Sequence, residues 1–214
     1  MISLSLLALA FVPPKEAPPT SGIVPLGTHL KLDKPNGLVI VEAEIALKMG
    51  MLEMLLCPRK SKEHESILTA DVKPRDVHFA LLLAGASPGR PVQFDPPKPP
   101  SGQRVKVWIE REENGRTTMI DAREWIQREG TSQAMTADFV FVGSAFIRSP
   151  GTDRTFYVGD EGYLICVANF PGAVIDVALR STASDAETKM FVPFTERIPE
   201  RGTKIRLVLE PVVD

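Results

Sequence analysis

The chain has 214 residues, 43% hydrophobic and 24% charged, enough for one generous domain with a real core. Its 25 basic and 27 acidic residues leave a net charge of −2 and alternate along the chain, which excludes the basic stripe that nucleic acid or an anionic membrane surface requires. Two cysteines are too few for a disulfide scaffold, and too few for an iron–sulfur cluster, which takes about four thiolates.

The first element is apolar. ISLSLLALAFV, residues 2–12, is too short to span a bilayer, and Ala8-Leu9-Ala10 has the small-x-small form of a signal-peptidase site. Only the initiator amine precedes it, so the basic n-region of a secretory signal is missing. VPPKEAPPTSG then behaves as a proline-rich linker. This order predicts export, periplasmic or extracellular, with a signal peptide over 1–10, a linker over 11–36 and a single domain over 37–214. With no cysteine after the apolar run a lipid anchor is not expected, and no other segment reaches transmembrane length.

GLVIVEAEIAL is rich in β-branched residues and predicts a strand; a turn at Gly50 and LEMLLC predict its return, a hairpin over 38–57 that Pro58 ends. KEHES, residues 62–66, is a polar island, and SILTAD predicts a short strand. KPRDVHFALLLAG predicts a helix: Pro74 suits the first position, Asp76 the first turn, and Gly85 the C′ position, with Pro88 beyond. Val77, Ala80, Leu81 and Ala84 make one stripe, which Phe79, Leu82 and Leu83 widen until the cylinder is nearly apolar all round. Such a helix is expected to be central and buried.

A proline-rich stretch, 87–103, reads as a long surface loop. RVKVWIE alternates, with Val105, Val107 and Ile109 on one face, and Asn114-Gly115 turns it into RTTMI. DAREWIQRE predicts a short helix capped by Asp121, with Glu124 as its capping-box partner and Gly130 at its end. DFVFVGSAFI predicts a strand and TFYVGDEGYLICVAN a hairpin. AVIDVAL fits a strand or a helical turn, and TKIRLVLEPV is a closing strand. Strands mostly follow strands, so the expected fold class is α+β: an antiparallel or mixed β-sheet, one buried central helix and one short capped helix.

Chemistry-bearing residues are sparse. His64-Glu65 resembles half of a zinc-protease motif, but H-E-x-x-H needs histidine at 68, which is leucine. A mixed metal site of Cys57, His64 and a carboxylate stays open in three dimensions. The simpler reading has Lys62 and Glu63 facing solvent while His64 or Ser66 ties down the chain. Ser66, beside Glu65 and near His64, suggests a triad, yet neighbours on an extended segment point to opposite faces. Cys57 and Cys166 lie in apolar contexts and are expected to be buried thiols, ahead of a bridge or a reactive thiol. Trp108, on the strand face opposite Val107, is a better ligand-facing candidate than Trp125, which belongs in the core.

Taken in order, LEMLLCPRKSKEHESILTADVKPRDVHFALLLAG, PVQFDPP, VKVWIE, DAREWI, DFVFVGSAF, GYLICVANFPGAVIDV and GTKIRLVLEP resemble the YdjY-type domain of exported proteins from Planctomycetes and related bacteria. The resemblance covers about Gly37 to Val212 and is most specific over Lys62 to Gly85. It implies a single exported domain and no activity. Some members carry a ferredoxin-like label, for which this chain lacks the thiolates. The expected function is a non-catalytic extracytoplasmic module that binds a partner protein or envelope component through the sheet's outer face or the KEHES loop. The alternative is a metal-dependent or thiol-based enzyme or redox protein built on Cys57 and His64.

Overall fold

The computed structural model describes residues 15–16, 22–113, 115–149, 151–179 and 190–213. Eight strands form its frame: β1 Leu38–Ile45, β2 Met54–Pro58, β3 Ser66–Ala70, β4 Gln103–Glu113, β5 Phe139–Phe141, β6 Ile165–Cys166, β7 Ile175–Val177 and β8 Lys204–Pro211. Their order is β4-β5-β7-β6-β2-β3-β1-β8, and the ring closes because β8 pairs antiparallel with both β1 and β4. The sheet is a closed eight-stranded barrel. An α+β fold, with an open antiparallel or mixed sheet around a central helix, is thereby overturned. A barrel of eight strands is just wide enough to be filled by its own side chains. Val39, Val41, Leu56, Leu68, Val107, Ile109, Phe141, Ile175, Leu207 and Leu209 are buried and belong to one continuous cluster.

That self-filled core explains the helix. α1, Pro74–Leu83, is the one α-helix among the described residues and starts at Pro74 as its sequence predicts. It buries Val77, Ala80 and Leu81 against the barrel and leaves Phe79, Leu82 and Leu83 exposed. The helix is peripheral because the barrel offers it a single side to cover. The second expected helix is only a 3-10 turn, Ala122–Trp125. Asp121 does cap it, accepting the Arg123 N–H at 2.9 Å. Glu124 reaches Arg197 and the chain leaves at once as a strand, Ile126–Arg128, paired with Phe191–Pro193. Trp125 is 1% exposed, wedged in the main core.

Two hairpins are also corrected. β1 and β2 are not partners, because β3 lies between them, antiparallel to β1 and parallel to β2. Thr155–Tyr157 folds back on Phe146–Arg148, while β6 enters the barrel. A 3-10 turn at Val158–Glu161 and Gly162, at φ 121°, redirect the chain between them. The 103–113/116–121 hairpin forms as its turn sequence predicts, with Asn114 itself outside the described residues. AVIDVAL resolves as strand β7.

Two short ladders flank the barrel. Leu30–Asp33 pairs with β1, and Ile23–Pro25 with Leu30–Asp33, so residues expected in the linker are strands. Lys15–Glu16 pairs with the 116–121 strand. The apolar run at 2–12 lies outside the described residues, as do most of the prolines that follow it. The 87–102 loop lies directly on β5: a Cβ on Gly102 would sit 2.1 Å from the Phe141 carbonyl oxygen, so only glycine fits.

Candidate functional site

KEHES is the return leg of a parallel crossover. β2 and β3 run parallel, Met54 opposite Ser66 and Cys57 opposite Thr69. After Pro58 the chain must climb back the length of β2, about 13 Å at ~3.3 Å per residue, and it does so in residues 59–65. Parallel neighbours ordinarily need roughly a dozen residues or more. The shortage is met by tight local bonding. Ser61 Oγ donates to the Pro58 carbonyl (2.6 Å), the Lys60 N–H to Glu63, and the Glu65 N–H to the Lys62 carbonyl (3.0 Å). Lys60 takes φ 63° at the bend.

The candidate residues of this segment are thereby dispersed. The His64 side chain is 72% exposed, its Nε2 2.9 Å from Glu65 Oε1. Lys62 lies across the barrel wall: Nζ is 3.4 Å from a Glu53 carboxylate oxygen, 5.1 Å from the Tyr163 ring centre and 5.8 Å from that of Phe170. Ser66 is buried and donates to the Leu68 carbonyl at 2.7 Å. Cys57 is a free thiol with no exposed surface. Burial raises its pKa, against weaker opposing contacts from Ser66, the Lys62 backbone, Ser61 and Thr69. The Thr69 hydroxyl beside it is buried without a hydrogen-bond partner. Cys57 is buried beneath the crossover while the His64 side chain is exposed, and no group of three or more metal-ligating side chains gathers among the described residues.

A second short crossover adjoins the first. β6 and β7 are also parallel, and residues 167–174 connect them. Cys166, likewise free and buried, has its Sγ 3.4 Å from Met54 Sδ, and burial raises its pKa further than that of Cys57. The loop is tied to Asp176, which has no exposed surface. Its carboxyl accepts from Val177 N (2.8 Å), Asn169 Nδ2 (3.1 Å) and Phe170 N (3.3 Å), yet burial prevails and pushes its pKa up to about 8. Glu53 links the crossovers: its N–H donates to the Glu65 carbonyl (3.0 Å), and its carbonyl accepts from Val167 (2.8 Å) and Ala168 (3.2 Å).

Trp108 is half-buried beside Leu38, Ile40, Met119 and Val208, and its Nε1–H donates to Glu210 at 2.6 Å. It is packed like an ordinary wall residue. His78 carries more than its place beside the apolar stripe suggests. Its Nδ1 is 2.8 Å from the Tyr157 hydroxyl, which donates to the Gly143 carbonyl at 3.1 Å. The Gly143 carbonyl also bonds His78, so the two rings and this carbonyl form one cluster. Burial lowers the His78 pKa and raises that of Tyr157. The clamp holds a turn in which Gly143 and Ser144 have φ 84° and 54°; the Ser144 hydroxyl is buried without a hydrogen-bond partner. Sequence spacing gives no sign of this cluster, since His78 and Tyr157 are 79 residues apart.

Concave surfaces of ligand size lie elsewhere, in several places among the described residues. Two grooves of about 480 and 610 Å³ adjoin on the outside of the barrel and share His29, Arg59 and Asp71. Arg59 follows β2, Asp71 follows β3 and His29 precedes the 30–33 strand, so short loops at strand ends bring them together. Most of the charges are paired. Arg59 and Lys204 both hold Glu44, pulling its carboxyl down to about 2; Lys31 and His29 hold Glu42; Arg206 meets Glu110. Asp160 occupies the start of α1, taking the Arg75 N–H at 3.2 Å and its guanidinium. The trough therefore presents both signs of charge in a fixed array. The sequence singles out none of His29, Arg59 and Asp71, whose meeting depends on the strand order.

The family model described as the YdjY domain matches residues 30–210, most of the chain. No curated protein and no solved structure matches it. No helix among the described residues is long and apolar enough to cross a membrane.

Proposed function

The chain belongs to the YdjY domain family, and from that premise we propose that it is an extracytoplasmic, non-catalytic module that binds a protein or envelope component in the trough shared by His29, Arg59 and Asp71. The observation that carries this reading is the trough itself, ligand-sized and lined by both signs of charge. The barrel interior is filled by its own side chains, which leaves the outer surface for recognition. A ligand with amine and carboxylate groups in one extended chain, as in a peptide, matches fixed charges of alternating sign better than a uniformly charged polymer does. The reactive types support the non-catalytic part: both thiols are buried, and His78 is engaged with Tyr157. Export is supported by the apolar run and proline-rich segment ahead of the domain.

The test is an NMR titration of isotopically labelled protein with soluble cell-wall peptide fragments. Shifts are expected at His29, Arg59 and Asp71, and they should vanish in the charge-swapped Arg59→Glu, Asp71→Lys protein. Shifts confined to the KEHES loop or to the Trp108 face would remove the trough from the proposal. Turnover of any substrate that a single polar substitution abolishes would remove the non-catalytic part. Export is checked with alkaline phosphatase fused after residue 36, which is active only outside the cytoplasm.

A further inference from the structure

The hairpin Phe146–Arg148/Thr155–Tyr157 is a separate two-stranded sheet, anchored to the core through buried Tyr157, and no other described strand pairs with it. An isolated ribbon of this kind is marginal in water, and its free edges are templates for pairing. It is also apolar on both faces. Phe146 lies on one face against Tyr157, ring centres 4.9 Å apart; Ile147 and Phe156 lie opposite each other on the other face. From Phe146 the rings continue through Tyr157 and His78 to Phe79 on α1, beside Leu82 and Leu83. The six residues Phe79, Leu82, Leu83, Phe146, Ile147 and Phe156 are each between 39% and 61% exposed. At ~200 Å² for a free large side chain, Phe79, Leu82, Leu83 and Phe146 present roughly 400 Å² on one side of the ribbon, within the range of the largest patch of an ordinary monomer, and Ile147 with Phe156 add roughly 170 Å² on its other face.

We propose that this surface is covered by a second copy of the chain, joined edge to edge through Phe146–Arg148 about a two-fold axis at Ile147. The hydrogen-bond phase of the hairpin supports that register. Ser149 N–H donates to the Arg154 carbonyl (2.8 Å) and Val158 N–H to that of Ala145 (2.9 Å). Inward-bonded positions on this strand are therefore 145, 147 and 149, and Phe146 and Arg148 direct their N–H and C=O groups outward. An antiparallel copy centred on Ile147 sets Phe146 opposite Arg148 of the second copy, and Arg148 opposite its Phe146. All four outward residues exchange hydrogen bonds, and the same patch serves both copies, as a closed two-fold interface requires. Ile147 then faces its own copy beside both Phe156 rings, and each Arg148 meets a phenylalanine in place of a like charge. Edge pairing brings Ile147 and Phe156 of both copies together and buries the outward N–H and C=O groups of Phe146 and Arg148, a small interface of the weakly associating class. A net charge of −2 offers little self-repulsion.

Sedimentation velocity on the purified full chain is expected to show a dimer with a dissociation constant of ~1–10 µM, in the range of a small interface. Ile147→Lys puts two ammonium groups face to face at the axis and should give a monomer with unchanged thermal unfolding. Ile147→Cys keeps the test open if that variant misfolds. Facing residues at such an axis have Cα atoms about 4.5 Å apart, inside the roughly 4.4–6.8 Å window for a disulfide. Oxidised glutathione should take two electrons from the two introduced thiols, one on each chain, yielding reduced glutathione and a covalent dimer in which buried Cys57 and Cys166 take no part. A wild type that stays monomeric at ~100 µM would overturn the proposal and assign the patch to a different partner. A dimer that survives Ile147→Lys, or Ile147→Cys chains that fail to cross-link, would also overturn it.

Discussion

The two crossovers share one geometric problem and answer it with different chemistry. Residues 59–65 and 167–174 each join parallel neighbours by a short span, and they flank the antiparallel β6–β2 pair. The first uses hydroxyls, backbone bonds and ion pairs near solvent, with Lys62 and Glu65 on its flanks. The second turns inward and hangs on one buried carboxyl, Asp176, that binds three donors. An exposed crossover is held by many small contacts; a buried one concentrates its stability in a single group. Breaking each should therefore give effects of very different size and different pH dependence.

The largest effect belongs to Asp176→Ala. It leaves the N–H groups of Phe170 and Val177 and one of Asn169 without their acceptor in a closed site, at ~1–3 kcal/mol for each unsatisfied donor. Near pH 4 the variant should lose roughly 3–5 kcal/mol by urea unfolding. A loss under ~1 kcal/mol would mean that the loop does not depend on this carboxyl.

Asp176→Asn separates the charge from the shape. An unfolded aspartate titrates near ~3.9, whereas folded Asp176 keeps its proton up to about 8. Below the lower value both states carry the proton, and the stability contribution is complete. Between the two only the unfolded chain ionises, and folding loses ~1.4 kcal/mol per pH unit from this group. Above 8 both states are ionised and the loss is constant. Asparagine retains the Oδ1 acceptor but opposes an N–H to that of Phe170, so the variant should start less stable than wild type near pH 4. It should gain on wild type steadily up to pH 8 and then run parallel. A stability difference independent of pH would show that Asp176 ionises normally in the fold.

Much of this was legible in the amino-acid sequence, though the decisive step was not. Pro74, Asp121 and Asn114-Gly115 act within a few residues of themselves, and each marks its helix start, cap or turn correctly. KEHES also reads correctly as a polar island before a strand. Closure of the barrel depends on β8 pairing with β1 and β4, partners separated by 160 residues at Glu44–Lys204, and no local pattern encodes that. The same gap hid the trough, because Arg59, Asp71 and His29 become neighbours only once the strand order is known. α1 failed for another reason: apolarity all round suggests burial, yet Phe79, Leu82 and Leu83 face outward. Hydropathy cannot distinguish a buried face from one kept for association.

Within the first crossover, Ser66→Ala should have the larger effect of the two variants considered. Its hydroxyl is buried and donates to the Leu68 carbonyl, and alanine leaves that acceptor short of one bond at ~1 kcal/mol. A loss of a few degrees in Tm is expected, with the same value at pH 5 and pH 8, because burial keeps the neighbouring Cys57 thiol protonated across that range. A pH-dependent loss would couple Ser66 to Cys57 ionisation.

Lys62→Ala should change global stability least, and it shows whether the crossovers open together. Lys62 contributes a partly buried ion pair to Glu53 and weak contacts with Tyr163 and Phe170, together ~0.5–1 kcal/mol. Each crossover shelters one thiol, so labelling of native protein with a thiol reagent measures the two openings separately. If the 59–65 leg opens by itself, Cys57 should label ~2–5-fold faster in the variant while Cys166 keeps its wild-type rate. If both thiols accelerate by the same factor, the bonds from Glu53 to Glu65, Val167 and Ala168 make the crossovers one cooperative unit. The contrast between an exposed and a buried crossover would then describe only their chemistry, because they would share one opening equilibrium.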